Sequence, residues 1–221
     1  MTSGQMWNDE YWPFIVQLYL KNPAGIKPML SKSVVDLSLE LHILPSEIYA
    51  RLLSIDKLDT PRIKRIWRIY SVSPRKLNKA VRTLRNMNGF GMGEQFYEGV
   101  AMSESFEHDL RAIEGEGDLM PVTLIPVLHL YFLLIPMTME CHTPEVRELG
   151  RLLKQKPETI VRVLHTFLLC DPFVAGKEGD KEPEAPTPSL LAACKDIWQR
   201  YANIAPDELE DIAVSLRQCF S

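Results

Sequence analysis

The sequence predicts an all-α protein built as two tandem helical subdomains, each of about five helices. Three observations carry that expectation. Apolar residues recur at three-and-four spacing wherever the chain is patterned, and strand-like alternation is absent. Prolines stand at the heads of the periodic stretches, where a missing N–H costs a helix nothing. The third is a repeat. "LSLELHILPSEIYARLL" from Leu37 and "LGRLLKQKPETIVRVLH" from Leu149 share Leu, three residues, Leu, three residues, Pro, two residues, Ile, three residues, Leu.

In chain order, "PFIVQLYL" from Pro13 reads as a short buried first helix. Leu37 and Leu41 mark a second helix and Ile48 and Leu52 a third, opened by Pro45. Ile63, Ile66, Trp67 and Tyr70 line one face of a fourth. Ser73 and Pro74 cap and open a fifth, with Leu77, Val81 and Leu84 as its stripe. The offset that carries Pro45 onto Pro157 also carries Leu18-Tyr19 onto Leu130-Tyr131, Val34 onto Val146 and Asp59 onto Asp171. Further on, Lys64, Ile66, Trp67 and Tyr70 meet Lys195, Ile197, Trp198 and Tyr201. With one more residue in the turn, Pro74, Leu77, Leu84 and Arg85 meet Pro206, Leu209, Leu216 and Arg217. Matches kept in one order over such a span point to duplication. The expected organisation is a first repeat at 12–88, a linker at 89–120 and a second repeat at 121–221. The second repeat carries a Pro-, Gly-, Glu- and Lys-rich insertion at 173–189, expected as a mobile loop. Trp67 and Trp198 are expected to be mostly buried, with truncation to Ala costing about 3–5 kcal/mol.

The run from Leu119 to Met139 is long enough in residues to span a bilayer. It contains Pro121, Pro126 and Pro136, and its repeat counterpart is the short "PFIVQLYL", so a buried helix is expected and no membrane segment. The N-terminus has neither the basic nor the apolar region of a secretion signal. Of 221 residues, 46% are apolar and 24% charged, the balance of a globular protein. The four cysteines include no CxxC pair and read as free thiols of a reducing cytoplasm.

The twice-written segment resembles the helix-turn-helix of bacterial DNA-binding proteins. Ser38 and Gly150 stand where that motif places a small residue, and Leu37, Leu41, Ile48 and Leu52, with Leu149, Leu153, Ile160 and Leu164, fall on its core positions. The turn departs from it: His42-Ile43 and Lys154-Gln155 replace the usual glycine and apolar residue. The resemblance implies that the second helix of each pair would present Ser46, Glu47, Tyr49 and Ala50, or Glu158, Thr159, Val161 and Arg162, to a base edge. One Arg and two glutamates make a poor base-reading set. The chain as a whole is also similar to duplicated helical proteins of unassigned function from gut bacteria, a resemblance that implies no activity.

Charge points elsewhere. Between Lys57 and Arg85 stand ten cations against Asp59 alone, in a chain of net charge −4. The candidate binding face is Arg62, Lys64, Arg65, Arg68, Arg75, Lys76, Lys79, Arg82 and Arg85, with Arg75, Lys79 and Arg82 sharing one helical face. The matching helix of the second repeat carries Asp207, Glu208, Glu210 and Asp211 instead. A protein partner is favoured, since the chain as a whole is negative, with nucleic acid as the alternative. The opposed faces also admit self-association. No catalytic, cofactor or metal residues are assigned: Glu140-Cys141-His142 lacks zinc spacing, and "NGFGMG" from Asn88 lacks the Lys-Ser/Thr of a phosphate loop. The expectation is a cytoplasmic, non-catalytic binding or adaptor protein that works through protein contacts.

Overall fold

A computed structural model describes residues 7–21, 26–87, 90, 106–174 and 185–221. Among these the chain is helical, without strands. It divides into two compact units, Met1–His108 and Asp109–Ser221. Of the expected linker, 88–89 and 91–105 lie outside the described residues, as does 175–184 of the expected loop. The end of the linker, 109–120, belongs to the second unit, and Pro188 and Ser189 of the expected loop form the first turn of a helix.

The first unit contains α1 (Trp12–Leu20), α2 (Lys32–Leu41), α3 (Pro45–Lys57), α4 (Pro61–Tyr70) and α5 (Pro74–Arg85). The second contains α6 (Pro121–Leu133), α7 (Pro144–Leu153), α8 (Pro157–Cys170), α9 (Pro188–Tyr201) and α10 (Pro206–Phe220). Every one of these helices except α2 carries proline in its first two positions. Proline pre-sets φ there and stops the preceding residue from continuing a helix, so it fixes where each element begins.

In the first unit α1 is packed by each of the other four helices. Phe14, Ile15 and Val16 of α1 belong to one buried core cluster with Leu41, Ile48 and Ile55. In the second unit α6 holds the same place among α7, α8, α9 and α10. Residues Pro121 through Tyr131 of α6 are all buried, which is why this helix can be apolar on every side. At about 1.5 Å per residue it is near 20 Å long, short of a bilayer core of about 30 Å. Among the described residues no helix is long and apolar enough to cross a membrane.

The paired helices α2–α3 and α7–α8 turn by one device. His42 and Lys154 both cap the preceding helix with φ of 56° and ψ of 33°, the left-handed region that glycine usually fills. The Ile43 N–H then donates to the Ser38 carbonyl, and the Gln155 N–H to the Gly150 carbonyl. This brings the chain back onto the small residue. A Cβ on Gly150 would stand 3.0 Å from the Gln155 carbonyl oxygen, whereas the Ser38 hydroxyl donates to the corresponding carbonyl of Ile43.

Trp67 and Trp198 have similar surroundings within their units. Each meets a tyrosine of the central helix edge-on, Tyr19 at 5.5 Å and Tyr131 at 5.6 Å between ring centroids. Both keep only a minority of their surface open, in keeping with the mostly buried residues expected from sequence. They close the rim of the core, so truncation to Ala is expected to cost toward the lower end of about 3–5 kcal/mol.

Candidate binding groove

The nine candidate cations are all exposed. Two are engaged within the fold. Arg85 donates to both carboxylate oxygens of Glu40, at 2.6 and 2.8 Å, and its guanidinium lies 5.4 Å from the centre of the Phe14 ring. The Glu40 carboxylate beside it raises its pKa further. Arg62 pairs with Asp9 at 2.5 Å, and that hydrogen bond, foremost, holds the Asp9 carboxyl below its ordinary value. The other seven, Lys64, Arg65, Arg68, Arg75, Lys76, Lys79 and Arg82, form no ion pair among the described residues.

α4 and α5 divide these cations between a groove and an outer surface. The groove, of about 770 Å³, opens between the two helices and the segment leading into α1. On α4, Arg62, Arg65, Ile66, Ile69 and Tyr70 line it; on α5, Lys76, Lys79, Ala80, Thr83 and Leu84. Both sets follow the spacing i, i+3, i+4, i+7, i+8 of one helical face. Each wall therefore begins with two basic positions and continues with smaller or apolar ones. Ile69 is 36% exposed and Met87, also in the groove, 50% exposed. Lys64 and Arg68 of α4, with Arg75 and Arg82 of α5, lie outside the groove. Arg75, Lys79 and Arg82 follow the i, i+4, i+7 spacing of one face of α5, and Lys79 stands at the edge of that face where the groove begins.

Sequence reading found the cations and missed the groove, because Ile66 and Tyr70 were assigned wholly to the core stripe. In fact only Ile63 of α4 is fully buried, while Ile66, Trp67 and Tyr70 are half-buried. No signal in the sequence alone marks the groove, since how much of Ile66 and Tyr70 stays open is set by the fold.

Of the α8 residues that a DNA reader would present, Arg162 is engaged within the fold. Arg162 donates to Glu116, whose side chain is fully buried and whose other oxygen accepts from the Thr187 hydroxyl at 2.6 Å. In α3, Glu47 pairs with Arg51 at 3.4 Å along the same helix. A shallow cleft of about 360 Å³ runs beside α8, lined by Cys141, Glu158, Arg162 and His165 among others. Burial pushes the His165 imidazole below its ordinary pKa, so it is neutral near pH 7. His142 and Glu140 pair at 3.0 Å on the exposed surface. Asp207, Glu208, Glu210 and Asp211 are exposed at the start of α10. No protein-family model matches the chain, and neither a curated protein nor a solved structure is found similar to it.

Proposed function

We propose that this chain is a non-catalytic, cytoplasmic binding or adaptor protein that captures another protein through the basic surface of α4 and α5. The observation that carries this reading is the set of seven exposed cations without an ion-pair partner among the described residues, arranged around a groove with apolar walls. A stripe that only solvates a helix is ordinarily interspersed with acids. The free thiols of Cys141, Cys170, Cys194 and Cys219 fit a reducing compartment.

The proposal includes tandem origin. The two units are copies of one five-helix module with a helix-turn-helix-like pair, supported by the shared left-handed caps, the small residue at each crossing and the tyrosine–tryptophan contacts. One copy has specialised as the basic surface, and the other has lost the cations from the equivalent helix.

Nucleic acid is the second reading, favoured by the four outward cations Lys64, Arg68, Arg75 and Arg82, which could follow a phosphate backbone. The engagement of Arg162 by Glu116 weighs against base reading through α8. Capture from native cytoplasm with tagged wild type and with an R75E/K79E/R82E variant separates the two. Expected are proteins lost with the variant and unaffected by nuclease, and no shift of random duplex DNA or RNA. A salt-sensitive shift of either duplex that disappears in the variant overturns the reading.

A further inference from the structure

Resting on the protein-binding reading, we propose that the occupant of the α4–α5 groove is an acidic amphipathic helix, laid with its apolar side between the two helices. The walls argue for a side chain ligand over a phosphate backbone. Ile66, Ile69, Tyr70, Leu84 and Met87 offer apolar and aromatic surface that phosphates cannot cover. At about 770 Å³ the space lies within the range of clefts that bury a ligand's side groups.

Charge fixes the sign of the occupant. Arg65, Lys76 and Lys79 line the groove without an ion-pair partner among the described residues, Arg62 is paired with Asp9, and Glu10 is the one further acid of the lining, so cations prevail. A helix with apolar anchors at i, i+3, i+4 and i+7 would fill the walls. Carboxylates flanking that stripe would reach the cations on both sides. Neither feature suffices alone: exposed ion pairs contribute only about 0–1 kcal/mol each, and an apolar groove without charge selects no sign. The four outward cations serve encounter and steering, not the bound contact.

The test uses fluorescence polarisation at 0.15 M salt, where the Debye length is about 8 Å and charges outside the groove are largely screened. The probe is a labelled peptide of about 18 residues, with Leu at the heptad positions and Glu on the flanks. The controls are a scramble of the same composition and a labelled oligo-dT of similar charge. Expected is saturable binding of the ordered peptide, weakened about tenfold or more by K76E/K79E and separately by Met87→Glu, as for the loss of central contacts. R75E/R82E, which makes the same change of charge outside the groove, is expected to leave binding within about twofold, as for rim positions. Thermal melts of each variant confirm that the unit stays folded. Equal binding of the scramble would show recognition by charge alone; it would sink the helix inference and leave protein binding standing. Binding of oligo-dT in place of either peptide, lost with K76E/K79E, would overturn both. Failure of all three probes would overturn the helix inference only, since the capture assay judges the broader reading separately.

Discussion

At the scale of single residues, the two left-handed caps show how the helix pair is made without the usual glycine. Lys154 is exposed and has a φ of 56°, so its side chain gains little packing in return for a conformation costing about 1–2 kcal/mol in a non-glycine residue. Glycine there relieves that cost but adds freedom to the unfolded chain, worth about 0.4–1 kcal/mol in the other direction. Lys154→Gly is therefore expected to stabilise the second unit by roughly 0.5–1 kcal/mol in urea unfolding. His42 is a different case despite the same angles. Its Nδ1 lies 2.6 Å from the buried Glu107 carboxylate, and glycine would forfeit that contact. Two other histidines set a pH response. Burial foremost, with Arg217 next, lowers the pKa of His129, and burial alone lowers that of His165, from the ordinary 6.5. On acidification the unfolded chain takes up protons at these imidazoles before the folded one does. Their contribution is thus present above pH 6.5 and lost as the pH falls below it. Chemical unfolding followed by Trp198 fluorescence should show the second unit less stable at about pH 5.5 than at about pH 7.5. His165→Gln should flatten that slope, and an unaltered slope would assign the response to other groups.

At the scale of elements, the helices were legible because proline and apolar spacing are local signals. Pro45, Pro74, Pro157 and Pro206 open helices where the sequence placed them, and the apolar stripes of α2, α3, α5, α7 and α8 point inward. α6 was legible through the match of its Leu130-Tyr131 to Leu18-Tyr19 of the short "PFIVQLYL", since a helix apolar on all sides shows no periodic face to read. What was not legible depends on contacts far apart in the chain. Glu116 sits in a stretch assigned to the linker, yet it anchors the end of that stretch to α8 through Arg162 and to the start of α9 through Thr187. Neither periodicity nor propensity announces a buried carboxylate whose partners lie on two other elements. The groove escaped notice for a related reason. Its walls belong to α4 and α5 together, and each wall taken alone reads as an ordinary amphipathic helix.

At the scale of the whole molecule, the charge asymmetry between the units bears on assembly. The exposed Asp207, Glu208, Glu210 and Asp211 of α10 are the nearest acids in kind to those the α4–α5 surface would accept. Val214, at 41% exposed, is the one large apolar side chain of α10 that stands well out of its core. A contact resting on exposed pairs, about 0–1 kcal/mol each, would need more apolar support than that. Sedimentation across about 0.1–1 M salt is therefore expected to give a single mass, unchanged by D207K/E208K/E210K/D211K. A larger mass at low salt that is lost in the quadruple variant would make a second copy the groove's partner. It would also imply head-to-tail association, which closes into a ring or grows as an open chain.

The central position of α6 has a consequence for synthesis. Ribosomes release the chain from its N-terminus, so α6 emerges before any of the four helices that cover it. The last of them, α10, opens only at Pro206. At about 5–20 residues per second, the interval from Leu133 to Pro206 lasts roughly 4–15 seconds. Throughout it a helix with no polar face must be shielded by a chaperone, or by whichever neighbours have already arrived. α1 faces a shorter wait, since α2 through α5 follow within Lys32–Arg85. The second unit is thus the part of the nascent protein most exposed to aggregation, although once folded its central helix is the most completely hidden.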